Sequence, residues 1–112
     1  MLADNRTSFT PASHRWSQKL PTSAAVRAGE LLFISGQVAC DANLKPTHLG
    51  DVKAQARSAF SKIKALVKEA GGSMADIVDI ISFHSDVRTM DTVFDVGRQI
   101  FKKDFPAWTA LG

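Results

Sequence analysis

Long apolar runs are missing from this 112-residue chain. The longest strictly apolar stretch is Leu31-Leu32-Phe33-Ile34, whereas a membrane-spanning helix needs about 20 residues. No spanning helix is expected. The first 20 residues scatter Asp4, Arg6, His14, Arg15 and Lys19 among polar neighbours. They lack the apolar centre of a secretory signal. Cysteine is nearly absent: Cys40 stands alone, so no disulfide can close within the chain. These absences fit a reducing, cytoplasmic setting. Also missing are a Walker loop, a glycine-rich dinucleotide fingerprint and a Gly-x-Ser-x-Gly elbow. His14, His48 and His84 are widely separated and show no metal-ligand spacing. No metal and no cofactor is expected.

What remains is ordinary globular composition, 45% hydrophobic and 22% charged. That is one domain's worth of chain, able to bury roughly two thirds of its unfolded surface. A net charge of +3 and a pI near 9.3 raise the question of nucleic acid. The charge is concentrated in one place. Lys53, Arg57, Lys62, Lys64 and Lys68 outnumber Asp51 and Glu69 by the whole net excess. On a helical wheel Lys53, Arg57, Lys64 and Lys68 share a face opposite Val52, Ala56, Ala59, Ile63 and Ala70. That is the solvated side of an amphipathic helix. No aromatic residue interleaves with it, so a base-stacking platform is not indicated. Nucleic acid is not expected as a partner.

Periodicity gives the elements. Residues 1–20 show no clear period and read as a variable N-terminal extension, mobile unless docked on a neighbour. Val26 leads into a turn at Ala28-Gly29-Glu30, and Leu31 to Ser35 follows as a short strand ended by Gly36. Residues 39–50 carry loop chemistry in Asp41, Asn43, Pro46 and Gly50. The spacing of Val52, Ala56, Ala59, Phe60, Ile63, Leu66 and Val67 predicts a helix over 51–70. Asp51 favours its start and Gly71-Gly72 its stop. Ile77 to His84 is rich in β-branched residues and predicts a central strand covered on both sides. Met90, Val93, Phe94, Gly97, Ile100 and Phe101 predict a second helix over 89–103. Phe105-Pro106 breaks it, and Ala107 to Leu111 begins another strand. The order β-β-α-β-α-β argues for an α/β or α+β sandwich with helices on one sheet face.

Four segments carry a resemblance. They are Ala25-Val-Arg-Ala-Gly-Glu-Leu-Leu-Phe-Ile-Ser-Gly-Gln37, Gly50-Asp-Val-Lys-Ala-Gln-Ala56, Ala70-Gly-Gly-Ser-Met-Ala-Asp-Ile-Val78 and Phe105-Pro-Ala107. In order and spacing this set resembles the Rid family (YjgF/UK114, endoribonuclease L-PSP-like proteins) over residues 21–112. The resemblance implies an α+β, chorismate-mutase-like sheet with two helices on one face. It implies a homotrimer in which sheets face inward as a barrel and ligand clefts lie between subunits. It makes 21–112 a single domain and leaves the last family strand beyond Gly112.

Well-studied members hydrolyse reactive enamines and imines to a 2-keto acid and ammonia. An arginine clamps the carboxylate and a positioned water attacks the imine carbon. Carried across residue by residue, Ser35 and Gly36 match the family pattern. The clamp arginine falls at Trp108, an asparagine at Phe94, a tyrosine near Thr22, and a glutamate past Gly112. Ser35, Gly36, Trp108, Phe94 and Thr22 are therefore the candidate lining of a cleft for a small molecule. Each has a plainer reading. Ser35 can satisfy local backbone, Trp108 can anchor a subunit contact, and Phe94 can be core. Cys40 is a weak nucleophile candidate, since no local motif supplies a base. His84, with Asp86 two residues on, is a weak acid–base candidate. The functional expectation is binding or hydrolytic deamination of a small enamine- or imine-type metabolite. The alternatives are a non-catalytic ligand-binding or interaction protein on the same scaffold, and a ribonuclease or translation inhibitor supported only by the basic helix.

Overall fold

The computed structural model describes residues 5–11, 14 and 19–112. Its longest element, helix α1 (Val52–Glu69), is delimited by chemistry visible in the sequence. The Asp51 carboxylate accepts a hydrogen bond from the Ala54 N–H at 3.0 Å, which satisfies one of the helix's orphan donors. At the other end Gly71 takes φ +90°, and the Gly72 N–H donates to the Val67 carbonyl at 2.9 Å. That left-handed residue is what lets the last carbonyls be met. Removing the cap by Asp51→Ala is expected to cost about 1 kcal/mol. Urea denaturation checks it; an unchanged midpoint would show the cap idle.

Strands β1 (Arg6–Phe9), β2 (Ala25–Ala28) and β3 (Leu31–Ile34) form an antiparallel sheet in that order. Val26 stands opposite Phe33, and Arg27 is flanked by Thr7 and Leu32. Gly29, at φ +61°, makes the two-residue β2–β3 turn possible. Strands β4 (Asp79–Phe83) and β5 (Ala107–Leu111) pair in parallel, with Ile80 beside Trp108 and Ser82 beside Ala110. A parallel pair needs a crossover, and helix α2 (Met90–Phe101) supplies it.

α1 spans both sheets, which explains its dense apolar stripe. Leu66, fully buried, packs with Ala24 and Ala25 at the entry to β2, against which Phe9, Leu32 and Ile34 also lie. Ala56 and Phe60 pack with Val96 of α2, and Ile80, Trp108, Phe101 and Met74 close around them. The two helices thus share the inner face of a mixed set of strands, the α+β arrangement expected. Among the described residues no helix is long and apolar enough to cross a membrane.

Three details differ from the expectation. Arg6–Phe9 is a strand within the segment read as an extension without elements. Its polar side chains hide it from any hydrophobic pattern; backbone pairing to β2 makes it. The strand expected over 77–84 starts at Asp79, and only one of its faces is covered by this chain. Ile81 and Phe83 are 57% and 80% exposed. The second helix spans Met90–Phe101 rather than 89–103 and is preceded by a 3-10 turn, Val87–Thr89. Leu31 and Phe33 of β3 and Leu111 of β5 are exposed as well, so each of the two sheets turns apolar side chains to solvent.

Candidate functional site

The candidate residues gather in two places. The first surrounds the end of β3. Ser35 Oγ donates to the Ser23 carbonyl at 2.6 Å, and the Ser35 N–H donates to the Ala24 carbonyl at 3.0 Å. The hydroxyl therefore ties β3 to the segment before β2, directly beside exposed Thr22. Gln37 Nε2 donates back to the Ser35 carbonyl at 2.9 Å, which leaves Gln37 Oε1 to accept from His14 Nε2 at 2.8 Å. His14 is fully buried. Part of the N-terminal segment is thus sealed onto the Ser35-Gly36-Gln37 turn. Gly36 is exposed and its N–H makes no hydrogen bond among the described residues. A Cβ built on it would meet nothing within 4 Å, so the backbone there is open to a ligand.

Cys40 lies just beyond. Lys62 Nζ, reaching down from α1, donates to the Val38 carbonyl at 2.7 Å, the Cys40 carbonyl at 2.9 Å and Cys40 Sγ at 3.3 Å. One ammonium thus closes three acceptors of the loop after β3. Lys62 lies off the solvated face of α1 formed by Lys53, Arg57, Lys64 and Lys68. Sequence reading gave Lys62 no role; its departure from that face was the available signal.

The second place is the sheet–helix layer at β4, β5 and α2. Even-numbered residues of β5 turn toward the helices, so Trp108 is directed inward. Its ring meets Phe94 edge-on at 5.0 Å and Phe60 at 5.8 Å between centroids. It lies directly over Gly97. Trp108 Nε1 donates to Ser82 Oγ at 2.8 Å, and Ser82 Oγ lies 2.7 Å from His84 Nε2. Ser82 and His84 are two apart on one strand and so share a face. That i, i+2 relation is legible in the sequence, but no motif marks Ser82. Asp86 does not reach back to His84. It binds Arg88 instead, whose guanidinium and backbone N–H hold the Asp86 carboxyl below the usual carboxylate range.

Among the described residues no hydrogen bond or ring contact joins the Ser35 group to the Trp108 group. Within one chain the candidate lining is therefore in two halves. A third feature, an open groove of about 410 Å³ between α1 and α2, is lined by Lys53, Thr92, Asp95, Arg98 and Gln99. It includes none of the candidate residues. Among the described residues no group of three or more His, Cys, Asp or Glu could hold a metal ion.

Known proteins resemble this chain over most of its length. The sequence pattern described as endoribonuclease L-PSP matches residues 12–112. The RutC family protein YjgH of Escherichia coli (strain K12) is 37% identical over 110 residues, 96% of this chain and 82% of that protein. A solved structure of YjgH superposes with a TM-score of 0.86, covering 96% of this chain and 84% of that one. The 2-iminobutanoate/2-iminopropanoate deaminase of Dermatophagoides farinae is 29% identical over 92 residues, 82% of this chain and 72% of the relative. The structure of Rv2704 from Mycobacterium tuberculosis, described as a member of the YjgF/YER057c/UK114 family, is 27% identical. It has a TM-score of 0.78 and covers 96% of this chain and 82% of its own.

Proposed function

Because this chain belongs to the endoribonuclease L-PSP family, the Rid or YjgF proteins, we propose that it binds or hydrolytically deaminates a small enamine- or imine-type metabolite. The site would be a cleft between copies of itself in a cytoplasmic homotrimer. The observation that carries the reaction class is similarity to proteins named 2-iminobutanoate/2-iminopropanoate deaminase. The assembly is supported by the exposed apolar side chains Leu31, Phe33, Ile81, Phe83 and Leu111 on the two sheets, which a second copy would remove from water. In this reading residues 21–112 are the Rid-like domain and 1–20 an extension that adds β1 to its sheet. The Ser35 half of one subunit and the Trp108 half of the next would complete one cleft.

Gly36 would supply a backbone donor to the ligand, and Phe94 and Trp108 an aromatic wall. Trp108 stands where the resemblance puts the clamping arginine, and it carries no charge. The metabolite would therefore depend less on carboxylate capture than 2-aminoacrylate, an enamine of the kind the family hydrolyses, does. A specific observation also favours the non-catalytic reading: the Ser35 hydroxyl is committed to the Ser23 carbonyl.

Incubation with freshly generated 2-iminobutanoate or 2-aminoacrylate distinguishes the two. Ammonia and the 2-keto acid should appear above the buffer rate. Ammonia release no faster than the blank would remove the deaminase reading and leave ligand binding. Light scattering tests the assembly: three copies of a 12.1 kDa chain are expected, and a monomer would sink it.

A further inference from the structure

Ser82 and His84, at the carboxyl end of β4, form a hydrogen-bonded chain with Trp108 from the start of the neighbouring parallel strand β5. We propose that Ser82 and His84 are a nucleophile–base pair that cleaves small, uncharged carboxylic esters. This proposal stands apart from the deaminase reading in its reacting groups, Ser82 and His84, and in its chemistry, although Trp108 and Phe94 border both sites.

The direction of the Ser82 proton follows from the donor inventory. An indole N–H can only donate, so Trp108 occupies a lone pair of Ser82 Oγ at 2.8 Å. The Ser82 hydroxyl proton can then be given to His84 Nε2, 2.7 Å away. That distance is the hydroxyl–imidazole separation at which a base activates a serine. Negative charge growing on Oγ during attack would strengthen the Trp108 bond, because charge-assisted hydrogen bonds are stronger than neutral ones. His84 is fixed at its backbone, where its N–H donates to the Leu111 carbonyl at 2.8 Å. Trp108 is a positioning residue in this scheme, holding Oγ.

Location supports the assignment. In sheets with parallel strands, ligands bind at the carboxyl ends of the strands, and Ser82 and His84 stand at that end of β4. Both side chains are half-buried, so the pair is partly shielded yet reachable. The nearby apolar walls are Phe94 and Trp108. Asp86 is engaged by Arg88, so no free charge faces the pair from that turn. These surroundings suit an uncharged acyl group.

The step balances with water alone. Ser82 Oγ adds to the ester carbonyl carbon as its proton moves to His84 Nε2. The carbon–alkoxy bond breaks, and the leaving alkoxide takes that proton to depart as the alcohol. Water then attacks the acyl-serine, gives one proton to His84, and releases the carboxylic acid as the proton returns to Oγ.

A fluorophosphonate probe tests the pair on the full chain, by intact mass and peptide mapping. One equivalent of adduct on Ser82 is expected. His84→Gln, which keeps a hydrogen-bonding side chain but removes the base, should slow labelling at least about a hundredfold with an unchanged circular dichroism spectrum. Trp108→Phe should lower the maximal labelling rate about tenfold while leaving the half-saturating probe concentration unchanged. A folded wild-type protein that takes no label, takes it on another residue, or labels equally fast as His84→Gln overturns the proposal. The wild-type mapping decides even if a variant fails to fold.

Discussion

Replacing Trp108 with arginine is expected to lower the free energy of unfolding by about 3 kcal/mol. The side chain is half-buried and turned toward the helix layer. Its ring makes edge-on contacts with Phe94 and Phe60, and aromatic pairs of this kind are worth about 0.5–1.5 kcal/mol beyond their buried area. Its N–H bond to Ser82 adds about 1 kcal/mol. An arginine can extend its stem along the same wall and seek water with its head. It cannot refill the space a flat indole occupies over Gly97. Trp108→Phe isolates the hydrogen bond, because the aromatic contact persists, and should cost about 1 kcal/mol. Urea denaturation at fixed protein concentration measures both, since an oligomer's midpoint depends on concentration. A loss under 1 kcal/mol for Trp108→Arg would show that the layer accommodates a cation.

The consequence reaches the function. If a carboxylate clamp is to be restored at position 108, its neighbours must change with it. Phe94 and Gly97 on α2 are shaped around the indole, not around a guanidinium. Arginine alone is expected to give no gain in ammonia release. A gain in the folded protein would show instead that the indole was merely standing in the clamp's place.

The candidate residues show where sequence reading reaches and where it stops. α1 was legible because its signals are local: an aspartate cap, apolar spacing and a glycine stop. β1 was not, because Arg6–Phe9 owes its conformation to pairing with β2, and register between distant segments leaves no mark in a short polar run. The resemblance located Ser35 and Trp108 but could not give their partners. Ser35 faces the Ser23 carbonyl through a contact 12 residues away in sequence, and Trp108 meets Ser82 across 26. Strand parity then decides everything else. Ile80, Ser82 and Trp108 face the helices, and Ile81, Phe83 and Leu111 face away. A sequence shows that alternation, but only the packed helix layer says which side is inside. The same limit explains the strand expected to be covered on both faces. Its composition is that of a doubly covered strand, and this chain covers one side of it.

Gly97→Ala tests how tightly the Trp108 layer is built, and two principles disagree about its sign. Helix propensity favours alanine over glycine in mid-helix by about 1 kcal/mol. Packing opposes it. A Cβ on Gly97 would sit 2.5 Å from Trp108 Cζ3 and 2.9 Å from Cη2, closer than carbon atoms approach in proteins. The obstacle is a rigid ring rather than a flexible tip. It is held by edge-on contacts with Phe60 and Phe94 and at its nitrogen by Ser82. α2 must therefore move, or the indole must leave its hydrogen bond. Overpacking of this kind typically costs about 1–3 kcal/mol, and the contact here is at the severe end. The net expectation is a loss of about 2 kcal/mol. A double-mutant cycle makes the cause visible. In a Trp108→Leu background the clash is gone, so Gly97→Ala should become stabilising by up to about 1 kcal/mol. A sign change between the two backgrounds would locate the penalty in the indole. The same loss in both would place it in the helix backbone, and the notch over Gly97 would then not be what seats Trp108.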